Sequence, residues 1–195
     1  GSGGKAGMGR VADVLIPQGE IARRVRELGA DLARDLTVEL EREGSAMDAP
    51  GRIVLMPVLT GAVVFVADLI RHMPLMMSME LVSVSSYPGA TTESKGAALR
   101  GALPKDLAGR HVVIVDDIYD TGQTLSLLQT LIAEQKPASV RTCVLLSKER
   151  ERLAEAKVEY VGFEIPNAFV VGYGLDYDGF YRNLPEIVVL GEEPE

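Results

Sequence analysis

The sequence predicts a single α/β domain with a central, mostly parallel twisted sheet flanked by helices, and three observations carry that prediction. The runs IVLMPVL (53–59) and HVVIVDD (111–117) are apolar and rich in β-branched residues, as in strands buried on both faces. Stretches with helical periodicity stand between such runs, and strands alternating with helices imply parallel order. The 195 residues suit one domain, with no internal repeat and no dividing linker.

In chain order, VADVLI (11–16) reads as a short strand. A helix follows, because Ile21, Val25, Leu28, Leu32, Leu36 and Leu40 recur at intervals of three and four and draw one apolar stripe. Gly44 to Gly51 has loop composition; then come the strand at 53–59 and a helical segment, GAVVFVADLIRHM, ending near Pro74. MSMELVSVSSY (77–87) is β-like. PGATTESKGAALRG (88–101) is small, polar and without clear period, so the span from about 85 to 101 reads as a long mobile loop. After the strand at 111–117, TGQTLSLLQTLIAEQK is a helix closed by Pro137, and SVRTCVLLSK is the next strand. YVGF, AFVVGY and EIVVL are shorter β-like pieces.

Composition narrows the function. A formal charge of −8 argues against nonspecific binding to nucleic acid or an anionic membrane, both of which need a positive footprint. Cys143 is the only cysteine, so no intrachain disulfide forms, which fits a reducing cytoplasm. No stretch of about 18 uncharged apolar residues and no signal peptide is visible. GSGGKAG, residues 1–7, reads as a cloning scar or a floppy tail. Its glycines imitate a phosphate loop, but no strand precedes them and no GK[ST] follows.

The informative segment is VVIVDDIYDTGQT, Val112 to Thr124. A buried strand delivers Asp116 and Asp117 to its carboxyl edge, and a tight turn with Asp120, Thr121 and Gly122 opens a helix. Helix N-termini offer unpaired N–H groups and the positive dipole end, so the turn suits a phosphate. Gly122 admits close backbone approach, while Thr121 and Thr124 add hydroxyl donors. Carboxylates beside an anion make sense if the ligand brings sugar hydroxyls or magnesium. The bland reading makes Thr121 a helix cap and the acids solvated strand-end residues.

This segment resembles the phosphoribosyl pyrophosphate (PRPP) signature of type I phosphoribosyltransferases. Four more segments are similar to the hypoxanthine-guanine branch: PVLTGAVVFVADLIR, VSSY with its following TT, LLSK, and GFEIPNAFVVGYGLDYDGFYRNLP. From the first to the last, the five segments span about two thirds of the chain in the family's order, and the last is the most specific.

The resemblance implies the type I fold, with a small hood built from the terminal segments, and purine salvage. A 6-oxopurine attacks the anomeric carbon of PRPP and pyrophosphate leaves, giving IMP or GMP. Asp116 and Asp117 would bind the ribose hydroxyls, directly or through Mg2+, and Asp120 would take the purine's proton. Thr121, Gly122, Gln123 and Thr124 would cradle the 5′-phosphate. Leu59, Thr60 and Gly61 would offer backbone donors to pyrophosphate, the corresponding bond in relatives often being a non-proline cis peptide. Asp176 would hold Mg2+ and Arg182 would clamp pyrophosphate. Phe169 would stack on the base, the backbone near Val170 would read its edge, and Lys148 would donate to its exocyclic oxygen. Ser86 and Tyr87 would begin a lid that closes over the site. Relatives are commonly homodimers or homotetramers.

Each role has a plainer rival: a simple strand-to-helix turn for residues 59–61, a surface ion pair for Arg182, core packing for Phe169, and a solvated strand end for Lys148. Thr60 and Gln123 stand where many relatives carry lysine, and Asp116 where glutamate is common. A phosphoribosyltransferase for adenine, orotate, uracil or xanthine is the nearest rival function; Lys148 and FVVGYGLDY favour a 6-oxopurine. An RNA-binding homologue would need a basic face. A phospho-receiver domain would carry its acids near the amino terminus.

Overall fold

Alternation within the buried strands decides which side of the sheet each residue serves. The structure, a computed structural model, describes residues 13–86 and 96–191. The chain runs β1 (Asp13–Ile16), α1 (Gln18–Glu43), β2 (Ile53–Leu59), α2 (Val63–Ile70), β3 (Ser78–Met79), β4 (Val82–Ser86) and β5 (Ala97–Arg100). It continues with β6 (His111–Tyr119), α3 (Gln123–Ala133), β7 (Ser139–Lys148), β8 (Tyr160–Ile165), β9 (Val170–Val171) and β10 (Ile187–Val189). Ile53, Leu55, Val113, Val115, Cys143 and Leu145 face one way, into a core shared with α1 and α2. Val54, Met56, Val58, Val112, Ile114 and Val144 face the other, against Leu125, Leu128 and Ile132 of α3. Two-sided burial is what the continuous apolar runs require.

The main sheet has the order β5-β4-β2-β6-β7-β8, and β3 pairs with β2 beside β4. All its pairings are parallel except β4 with β5. The MSMELVSVSSY segment is thus two strands along one edge of β2, at Val54–Leu55 and then Val58–Leu59. A separate small sheet, β1-β10-β9, is antiparallel and joins the two ends of the described chain. It forms the hood expected from the terminal segments.

The apolar stripe of α1 is buried from Ile21 to Leu40. Each large apolar side chain fully buried there contributes about 1.5–3 kcal/mol relative to exposure. The helix closes at Gly44, whose N–H bonds back to Glu41 O at 3.0 Å. Its last residue, Glu43, pairs with Arg52 at 2.9 Å and with the buried His111 of β6. The other imidazole nitrogen of His111 meets Ser139 Oγ of β7 at 2.6 Å, so one polar cluster ties α1 to the start of two strands. Cys143 is fully buried in β7, and burial pushes its thiol far up from its ordinary range.

Several expected boundaries move. Tyr87 and residues 88–95 of the expected loop lie outside the described residues, as do residues 1–12. The last part of that loop is strand β5, pairing Ser83 with Arg100 and Ser86 with Ala97. Buried Ala97 and partly buried Leu99 supply an inward alternation too short to stand out in a run of small residues. Helix α3 begins at Gln123, not Thr121, because Gly122 has a left-handed φ of 87°. Helix α2 is shorter at both ends than 61–73. No helix among the described residues is long and apolar enough to cross a membrane.

Candidate active site

Parallel strands bring their carboxyl ends to one edge, and in open α/β sheets the ligand crevice lies outside that edge. Strands β2, β6 and β7 end there at Leu59, Tyr119 and Lys148. A cleft of about 490 Å³ opens above them. Leu59, Gly61, Asp116, Asp117 and the stretch Ile118–Leu125 line it from the sheet side, and Asp176 and Arg182 face it from the hood side.

Asp116 is 6% exposed and accepts the Asp117 N–H at 2.8 Å. Burial and then the neighbouring Asp117 charge push its carboxyl well above the usual carboxylate range. Burial raises Asp117 as well, opposed by backbone donors and Arg182. Gly61 sits directly against this pair: an added Cβ would come within 2.1 Å of Asp117 Oδ2. Any side chain at 61 would therefore displace the acid. The adjoining Leu59–Thr60 peptide bond is cis, as the resemblance implies. Thr60 is exposed and does not line the cleft.

The turn Thr121–Thr124 lines the cleft where β6 gives way to α3. Thr121 is not the helix cap; Gly122 occupies that position. An added Cβ at Gly122 would stand 1.9 Å from Ala154 O, so both its left-handed backbone and its packing require glycine. The Thr121 hydroxyl donates to Gln123 Oε1 at 3.2 Å.

The Asp120 carboxylate carries a cation on each oxygen. Lys148 Nζ lies 3.2 Å from Oδ2, and Arg150 Nη1 lies 3.0 Å from Oδ1. Lys148 is only 4% exposed, which removes the solvated strand-end reading, and it reaches the cleft through Asp120. Arg152 donates to the carbonyls of Tyr119 and Asp120 at 3.0 and 2.6 Å, and its guanidinium lies 3.8 Å from the Tyr119 ring centroid. Arg150 and Arg152 were not anticipated from the sequence. Their signal is the basic alternation KERER, which starts at Lys148, the last residue of β7, where a chain leaving a sheet edge can fold back over the site.

On the hood side, Arg182 donates to Gly174 O at 2.6 Å and lies 3.5 Å from Asp176, so its ion pair is inside the cleft rather than on an outer surface. Asp176 also accepts the Gly179 N–H at 2.8 Å. Phe169 and Val170 do not line the cleft. The Phe169 ring packs edge-to-face on Tyr177 at 5.6 Å, and Val170 is buried in β9. Ser86 ends β4.

The family model of the phosphoribosyl transferase domain matches residues 21–178. The chain is 40% identical over 183 residues to a hypoxanthine-guanine phosphoribosyltransferase of Streptococcus pneumoniae, covering 94% of this chain and 95% of that one. It is 42% identical to the Bacillus subtilis enzyme of the same name, covering 92% and 93%. Among solved structures, the hypoxanthine phosphoribosyltransferase of Trypanosoma cruzi in complex with the product IMP matches at a TM-score of 0.81 and 36% identity, over 94% and 96% of the two chains. A Bacillus anthracis hypoxanthine-guanine phosphoribosyltransferase matches at 0.79 and 35%, over 92% and 98%. Identity of this extent, over a sheet edge with this chemistry, leads to one conclusion: the chain belongs to the phosphoribosyltransferase family, in its hypoxanthine-guanine branch.

Proposed function

We propose that the chain moves the 5-phosphoribosyl group of PRPP onto hypoxanthine or guanine, forming IMP or GMP and pyrophosphate in purine salvage. The observation that carries this reading is the meeting, in one cleft, of the acid pair, the glycine turn at the start of α3, Leu59, Gly61 and Arg182. In it, the Thr121–Thr124 turn receives the 5′-phosphate, using the free N–H groups and positive end of α3. Asp116 and Asp117 accept from the ribose hydroxyls. The backbone of Leu59, Thr60 and Gly61 and the fork of Arg182 hold pyrophosphate. Asp120 accepts the purine's ring proton and Lys148 donates to its keto oxygen; the base then extends past the cleft lining toward β9, where Phe169 stacks on it and the backbone at Val170 meets its edge. The lid beginning at Ser86 and Tyr87 belongs to the same proposal.

With Asp120 held by Lys148 and Arg150, three further carboxyl groups line the cleft against the guanidinium of Arg182, a set of hard oxygen donors that suits Mg2+. Among the described residues no three acids, histidines or cysteines cluster to hold a metal alone. The ion would therefore share Asp176, Asp116 or Asp117 with substrate oxygens. Bound there, it supplies positive charge against the departing pyrophosphate.

An assay with PRPP, Mg2+ and five bases tests the reading. Hypoxanthine and guanine should turn over, and adenine negligibly, since a lysine ammonium has only donors for the 6-position. Preferred turnover of adenine, orotate or uracil would overturn it. A homodimer or homotetramer is part of the proposal, supported by the exposed Met76, Met79 and Leu81 along one stretch. A monomer by sedimentation velocity would remove that part.

A further inference from the structure

The buried ammonium of Lys148 is asked to do two things, and that points to a residue the reaction has not yet used. It pairs with Asp120 Oδ2 at 3.2 Å, and in the proposed reaction, on which this inference rests, it also meets the purine carbonyl. Its hold on Asp120 must then weaken at the moment Asp120 accepts the proton. A carboxylate held on neither oxygen swings freely, because its terminal torsion is broad.

Arg150 holds the other oxygen, Oδ1, at 3.0 Å. It does not line the cleft, so it reaches substrate only through Asp120. Its guanidinium is preset by donation from Nε to Glu151 O at 3.1 Å, and it is 24% exposed. The segment that carries it is fastened to the phosphate turn: Arg152 bonds the carbonyls of Tyr119 and Asp120, and the N–H groups of Leu153 and Ala154 bond Thr121 O at 2.9 and 3.1 Å. Arg150 and the backbone of Asp120 therefore share one frame, and their spacing holds whatever Lys148 does. We propose that Arg150 is a positioning residue that keeps the Asp120 carboxylate aimed at the purine proton while Lys148 engages the base.

Single-turnover rates, which product release cannot mask, test this with guanine and 8-azaguanine. The ring N–H of 8-azaguanine is more acidic and needs less help from a base. Arg150→Ala should slow guanine about 10–100-fold, the scale of a misplaced catalytic group, while PRPP affinity and melting temperature stay close to wild type. The loss should be clearly smaller with 8-azaguanine, and Arg150→Lys should recover most of the guanine rate. Equal losses with both bases, or an alanine variant within about twofold of wild type, would overturn the inference. A wild-type protein inert toward every base overturns the proposed function and this inference with it. An active wild type matched by the alanine variant removes the inference alone.

Discussion

Asp120 stands between two cations, so its replacement has two separable effects. Asp120→Asn keeps the shape of the turn and removes the proton acceptor; the catalytic rate should fall about 10²-fold or more while PRPP still binds. It also leaves buried Lys148 facing a neutral amide, which should cost about 1–2 kcal/mol of stability, with Arg150 freed toward solvent. Rates are therefore best compared well below the melting midpoint. A loss under about threefold would move the proton transfer to another group. The acids and the turn from Asp116 to Thr124 are readable in the sequence because they are contiguous, and a strand, a turn and a helix position them locally. Arg150 and Arg152 are not, because local periodicity gives no sign that the chain after β7 folds back over Tyr119 and Asp120. Phe169 was legible as an aromatic in a specific motif, but its edge-to-face contact with Tyr177 depends on the pairing of β9 with β10.

Helix α1 and strands β2, β6 and β7 were the most legible elements, since a long apolar stripe and a continuous β-branched run each admit one reading. The end of α1 shows what such patterns omit. Glu43 is held by Arg52, with Ser45 and His111 adding to it, and these donors depress its carboxyl from an ordinary 4.5 to about 2. A depressed acid contributes stability that is intact above about 4.5 and lost as pH falls toward 2. Glu43→Gln should thus lower unfolding stability at pH 7 by about 1–2 kcal/mol, and the gap to wild type should narrow at pH 3. Urea titrations at both pH values measure it. A gap of equal size at both would assign the effect to shape rather than charge. Strand β5 was missed for the opposite reason: its four residues hold one short alternation, and its partner β4 is needed to order it.

At the scale of the molecule, the cleft has two walls that the chain builds far apart in sequence. The acid pair and phosphate turn belong to the main sheet, while Asp176 and Arg182 belong to the hood side, between β9 and β10 of the small sheet that β1 completes. The sheet follows from alternating strands and helices. The hood does not, because pairing Asp13 with Val189 is a long-range choice that periodicity cannot express; there the family resemblance carried the expectation. A ligand that touches both walls stabilises the whole fold, since only the assembled cleft binds it.

That coupling gives Cys143 a use. A thiol sealed in β7 and held protonated by its surroundings is chemically silent until the sheet opens around it. Alkylation of the native protein therefore counts openings of the central sheet, one reaction per molecule, with no engineered probe. Iodoacetamide labelling followed by mass spectrometry should be slow in native buffer. In the limit where closing outruns alkylation, product nucleotide at about 100 times its dissociation constant should slow it roughly 100-fold. Fast labelling, equal with and without nucleotide, would mean that β7 opens by itself while the cleft stays assembled.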